Sequence, residues 1–285
     1  MVQRNCFSIN YEAPPLVEVA MSVQFDPPKR LSLAHLGAFW DRQKEAFPHV
    51  RAVQPIATTS EAFGSQWLPP SLQLALTNEP DCRLQMVSSD DQWMCQVQLN
   101  RLVINWRKRS EVYPRFDSTW TRFQSTLHVW QEFLSEYKIG PVKSRLWELT
   151  YVNRIPKGEL WQEPADWPGV FPGLWGGNFA TVQDGFLRGF HGQWVWELAD
   201  PPARLYVEPK PGRTSEEPPQ DLLLLSLTAR GPIAEEGAEA TFDGPSVASL
   251  IEAGVEVGHK LIVETFDAIA SDAAKKAWGR HENVE

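Results

Sequence analysis

The sequence predicts an α+β protein made of two tandem antiparallel-sheet units, residues 1–140 and 141–285, packed about a pseudo-twofold axis. Three observations carry this. Residues 16–25 (LVEVAMSVQF) align without gaps on residues 146–155 (LWELTYVNRI), and both alternate apolar with smaller or polar side chains, the period of a strand with one buried face. Each run then heads the same succession: strand, helix, about four short strands, long helix. Finally, the chain has no regular strand–helix alternation and no glycine-rich strand-to-helix turn, which argues against a parallel sheet.

Taken in order, the first strand covers 16–25 and is stopped by Asp26-Pro27-Pro28, because proline cannot continue a ladder. Ser32 caps a helix with Leu33, Leu36, Phe39 and Trp40 at helical spacing, ending near Phe47-Pro48. Short alternating runs near 50–57, 71–77, 82–88, 92–99 and 101–107 read as strands, the last two a hairpin turning at Asn100-Arg101. Residues 114–137 carry Phe116, Trp120, Phe123, Leu127, Trp130, Leu134 and Tyr137 in alternating steps of four and three, an amphipathic helix lying on the sheet.

The second unit repeats the order. A strand at 143–155 leads into a Trp- and Pro-rich stretch at 159–177, read as a short helix and loop. Strands follow near 181–190, 193–199, 203–209 and 221–229, and a long helix spans 246–272. Gly254 and Gly258 lower that helix's propensity, so close packing of its backbone on the sheet is expected. Residues 208–220 and 231–245 read as loops and the tail after Trp278 as frayed.

Composition narrows the function classes. The net charge of −9 argues against coating nucleic acid or an anionic membrane. One basic stretch, Arg101, Arg107, Lys108, Arg109 and Arg115, keeps a local phosphate contact open. Cys6, Cys82 and Cys95 lie far apart without a C-x-x-C, and the histidines form no H-x-H or H-x-x-x-H pair, so no metal and no cofactor are expected. Residues 1–15 lack a signal-peptide pattern and no apolar run is long enough to cross a bilayer. A reduced, cytoplasmic protein is the expectation.

Several motifs stand in a set order. They are Tyr11-x-x-Pro14-Pro15-Leu16-x-Glu18, Gln96-Val97-Gln98 leading to Asn105-Trp106-Arg107, and Glu148-Leu149-x-Tyr151-x-Asn153-x-Ile155. Together the motifs resemble a sporadically distributed bacterial family of unknown function, which implies a patchily inherited bacterial protein with no established activity; such inheritance fits accessory, mobile-element or defence functions. The element order within each half resembles the TATA-binding-protein-like unit, with a helix-grip sheet as the neighbouring possibility; neither implies DNA binding.

Two groups of residues are candidates for function. Glu18 and Glu148 occupy matching places on matching strands, and across a twofold axis they would approach each other as a carboxylate pair. Gln96, Gln98, Asn105 and Arg107 lie opposite the hairpin's apolar stripe. With Asn153 they are expected to line a concave polar surface suited to a carboxylate, phosphate or peptide backbone. The favoured reading is a non-enzymatic binding protein that recognises a protein, peptide or small anion in an inter-unit cleft or on a polar sheet face, with homodimer formation left open. The alternative is a metal-assisted hydrolase or nuclease using Glu18 and Glu148.

Overall fold

The structure is a computed structural model that describes residues 9–64, 81–110, 113–176, 186–234, 240–242 and 245–282. Along the chain come β1 (Ile9–Tyr11), β2 (Leu16–Phe25), α1 (Leu33–Gln43), β3 (His49–Val53), β4 (Arg83–Val87), β5 (Trp93–Gln98), β6 (Arg101–Arg107) and α2 (Arg115–Glu136). Then follow β7 (Lys143–Pro156), a 3-10 turn (Pro164–Asp166), α3 (Trp167–Val170), α4 (Pro172–Trp175), β8 (Trp194–Ala199) and β9 (Pro202–Arg213). The chain closes with β10 (Asp221–Pro232), β11 (Ala240–Thr241), α5 (Pro245–Ile269), α6 (Asp272–Ala277) and β12 (Arg280–Glu282).

One open antiparallel sheet runs through the molecule in the order β3-β4-β5-β6-β2-β7-β10-β9-β8, with β11 added beside β7. The two aligned runs meet at its centre. In the β2–β7 pairing Ala20 lies opposite Thr150, and these are themselves matching positions in the alignment. On either side, β2 and β7 are followed outward by strands of their own half in reverse chain order. The overall class is therefore mixed helix and strand, α+β.

The sheet's alternation separates two faces. Val19, Met21, Val23 and Phe25 of β2, with Cys95 and Val97 of β5 and Ile104 and Trp106 of β6, join one core beneath α1, α2 and α5. Trp120, Phe123, Leu127 and Trp130 of α2 are buried in that core, as the helical stripe predicts. Trp147 explains the glycines of α5. A Cβ on Gly254 would lie 2.3 Å from the indole nitrogen of Trp147, and one on Gly258 2.7 Å from the same ring. Only the missing side chains let the helix settle onto that indole.

Several expectations are corrected. The β5–β6 turn is Leu99-Asn100, and Arg101 is the first residue of β6, paired with Gln98. β9 continues through Arg213, where a loop was expected, despite Pro209 and Pro211. The reason is that β8 pairs with β9 only as far as Val207, so the remainder is an edge whose absent N–H groups face outward. Residues 186–190 form no strand, and the strand expected at 71–77 lies outside the described residues. The tail is tied down, since β12 pairs with β1. Arg280 there binds Asp267, which also accepts from the Tyr11 hydroxyl at 2.7 Å. No helix among the described residues is long and apolar enough to cross a membrane.

Candidate binding face

The face opposite the helices carries two polar networks. The first is a ladder of side chains crossing five strands. Arg51 Nε donates to Gln85 Oε1 at 2.8 Å, Gln85 Nε2 to Gln96 Oε1 at 3.0 Å and Gln96 Nε2 to Asn105 Oδ1 at 2.6 Å. Asn105 Nδ2 ends the run on Glu18 Oε1 at 2.5 Å. Primary amides suit this role because each both donates and accepts, so a bond can be passed from strand to strand. All donors point from the guanidinium of Arg51 toward the carboxylate of Glu18, so the amide dipoles align with the charges at the ends and reinforce one another. Burial raises the Glu18 carboxyl above its ordinary range, against the Asn105 hydrogen bond and the Arg107 and Arg109 charges.

The second network holds a segment of the chain. After β3, residues 54–64 run across the ends of the central strands, from β5 to β8. Gln98 takes both backbone groups of Ile56, accepting from its N–H and donating to its carbonyl at 2.9 Å each. Gln24 does the same for Thr59, at 2.9 and 2.7 Å. Asn100 donates to the Thr58 hydroxyl at 2.8 Å, Arg204 to the Ala62 carbonyl, and Glu197 accepts from the Gly64 N–H at 2.7 Å. Such paired amide contacts read a peptide backbone without reading its side chains.

The segment's carboxylate is also read. Glu61, 6% exposed, accepts from Arg204 Nη1 at 2.5 Å, the Tyr206 hydroxyl at 2.6 Å and Arg230 Nη1 at 2.9 Å. It is the middle anion of an alternating row: Arg101, Glu148, Arg230, Glu61, Arg204, Glu197. Against the cost of burial, the Glu148 charge and the Glu61 hydrogen bond hold Arg230 above the ordinary guanidinium range. Burial and then the bond to Glu61 push the Tyr206 hydroxyl up to about 12. The alternation matters because a buried charge is tolerated only when paired and hydrogen-bonded.

The expected site residues divide among these networks. Gln96, Asn105 and Glu18 belong to the ladder; Gln98 binds the segment; Glu148 sits between Arg101 and Arg230. Arg107 lies on the same face, and its guanidinium pairs with Asp91. Asn153 does not join them. It lies on the helix side of β7, buried, with Nδ2 donating to the Leu225 carbonyl at 3.3 Å. An odd position on β7 points into the core, as Leu149, Tyr151 and Ile155 do.

Nor do the two glutamates meet. Glu18 faces Val152 and Glu148 faces Ser22, two positions to either side of the central pair. Four residues of strand separate them by about 13 Å along the backbone. Antiparallel pairing about Ala20 and Thr150 necessarily sends matching residues in opposite directions. The hairpin's polar face is covered and not open to solvent: Gln96, Gln98, Asn105 and Arg101 are each at most 5% exposed.

Arg101, Arg204, Arg230, Tyr206, Gln24 and Glu61 were missed as site residues. Gln24 shares the even-numbered face of β2 with Glu18, a signal already present in the alternation. Glu61 has none, since it lies in an irregular segment and acts through residues more than a hundred positions away. Among the described residues no cluster of histidine, cysteine and carboxylate side chains is arranged to hold a metal ion. Comparison with protein-family models, curated proteins and solved structures finds no match to this chain.

Proposed function

We propose that this chain is a non-enzymatic binding protein whose polar sheet face recognises an extended peptide segment with an acidic residue. Residues 54–64 are read here as the intramolecular stand-in for that ligand. The observation that carries the reading is the pair of glutamines, Gln98 and Gln24, each engaging both backbone groups of a residue three apart on the segment, while Arg204, Arg230 and Tyr206 seat its carboxylate. Backbone pairing gives affinity and a charge-assisted side-chain pocket gives selectivity, the division of labour seen in strand-like peptide recognition.

The same reading treats the molecule as two α+β units, 1–140 and 141–285, related about the Ala20–Thr150 pair. What supports it is the coincidence of sequence offset and strand register at that pair, together with the outward strand order of each half. The element order is similar to a TATA-binding-protein-like tandem, while the alternating charges of the face favour a peptide over a polyanion. A metal-assisted hydrolase built on Glu18 and Glu148 is not favoured, because each carboxylate has its own partners and about 13 Å of backbone separates them.

The test is a variant in which residues 54–64 are replaced by a Gly-Ser linker of the same length. A labelled peptide of sequence QPIATTSEAFG should bind this variant in fluorescence anisotropy, and the peptide with Glu changed to Ala should bind at least about tenfold more weakly. At the micromolar concentrations of that assay the unaltered protein should bind neither, since its own tethered segment competes at millimolar effective concentration. A folded linker variant that binds no peptide contradicts the reading.

A further inference from the structure

A cavity of about 540 Å³ lies away from the polar face, between the segment after β7 and the far ends of β9 and β10. Its walls include Trp161, Trp167, Pro164, Pro211 and Leu222. The two indoles meet edge to face, centroids 5.9 Å apart at 85°. Both are buried, and Trp161 donates its N–H to the Ile155 carbonyl at 3.2 Å. The Trp167 N–H is buried with no hydrogen-bond partner among the described residues.

The rim is cationic and apolar at once. Phe186 is 75% exposed and Leu187 37%, high values for large apolar side chains, with the Arg188 guanidinium 5.7 Å from the Phe186 ring centroid. Of the three lining cations, Arg213 is paired with Asp221, whereas Lys157 and Arg188 form no ion pair with a described residue. Glu163 also lines the cavity, near the turn it caps.

We propose that this cavity is a second ligand site, which takes an aromatic monoanion of one or two fused rings. The rings would enter against Trp161 and Trp167 beneath Phe186, and the carboxylate would lie between Lys157 and Arg188. The volume falls in the range of small-molecule sites, and the lining sets an aromatic and aliphatic wall beside an equal share of polar and charged groups. Two unpaired cations beside an aromatic wall select an acid over its neutral counterpart. The proposal is independent of the peptide reading, since none of these residues has a hydrogen bond or ion pair to the 54–64 segment.

Isothermal titration of the full chain with 2-naphthoate, with 2-naphthalenemethanol as the neutral counterpart, tests it. The acid should bind saturably with one-to-one stoichiometry, and the alcohol roughly tenfold more weakly or less. The double variant Lys157→Glu/Arg188→Glu should lose at least about tenfold in affinity for the acid and keep its melting temperature, because both side chains are exposed. In a two-dimensional NMR titration the indole N–H signals of Trp161 and Trp167 should shift with the acid. Absence of saturable binding at millimolar naphthoate, equal affinity for acid and alcohol, or unchanged affinity in the double variant would each overturn the assignment.

Discussion

Glu61→Ala is the most informative substitution in this chain. It removes a carboxylate that accepts from Arg204, Tyr206 and Arg230 and is 6% exposed. Arg204, at 3% exposure, keeps Glu197 and the Ala62 carbonyl, and Arg230 keeps Glu148, so each loses one of two anions. Removing one partner of a buried pair usually costs about 3–5 kcal/mol, and the surviving partners place this case near the lower end, about 3 kcal/mol. A surface ion pair would instead cost about 0–1 kcal/mol, so the two situations are well separated. The assay is urea unfolding, urea being uncharged and leaving the ion pairs unscreened. Combining the substitution with Arg204→Ala in a double-mutant cycle should give a coupling of at least about 1.5 kcal/mol. A loss under about 0.5 kcal/mol with additive effects would refute the claim that Glu61 is a seated ligand.

Three further substitutions or titrations test other parts of the argument. Burial raises the Glu18 carboxyl above its ordinary 4.5, so the stability it contributes is fully present below that pH and is lost as pH rises through the folded value. Glu18→Gln retains an acceptor for Asn105 and should therefore gain on wild type as pH climbs from 4.5 to 7.5; a constant difference in urea midpoint contradicts this. His259, stacked on Phe116 and hydrogen-bonded to the Tyr151 hydroxyl at 2.9 Å, is held by burial at about 4 instead of 6.5. Its contribution is complete above 6.5 and falls away as pH drops toward 4, and an NMR titration midpoint at 6 or higher would show that the ring is solvated. Gly254→Ala gains about 1 kcal/mol of helix propensity but drives a methyl into Trp147, so a net loss of about 1–2 kcal/mol is expected; a higher melting temperature would place the helix farther from the sheet.

The parts of the fold legible in the sequence are those with a sustained period. β2, β7 and α2 each repeat their apolar positions over ten or more residues, so element and buried face follow together. Single-residue offsets did more damage. Placing the hairpin turn at Asn100-Arg101 put Arg101 in a loop, when it is the strand residue that links Gln24 to Glu148. Treating Asn153 as a companion of Arg107 overlooked the parity of β7, which turns it into the core. Glu18 and Glu148 lie equally far from the Ala20–Thr150 pair but on opposite sides of it, and proximity depends on that register, which two strands read separately do not reveal. Glu61 reaches Arg204, Tyr206 and Arg230 through tertiary structure alone: no local pattern distinguishes an irregular segment that crosses a sheet from one that leaves it.

Hydrogen–deuterium exchange of the linker-free, full-length protein titrated with the QPIATTSEAFG peptide addresses the central claim most directly. If the face binds an extended acidic peptide and residues 54–64 are its tethered stand-in, excess peptide should release those residues. Their amides, Ile56, Thr59 and Gly64 above all, should then exchange faster at millimolar peptide, while the amides of β2, β6 and β7 keep their protection and the Glu-to-Ala peptide has no effect. Exchange at 54–64 that is indifferent to peptide at every concentration, or that rises only together with the central strands, would make the segment a fixed part of the fold and contradict the account.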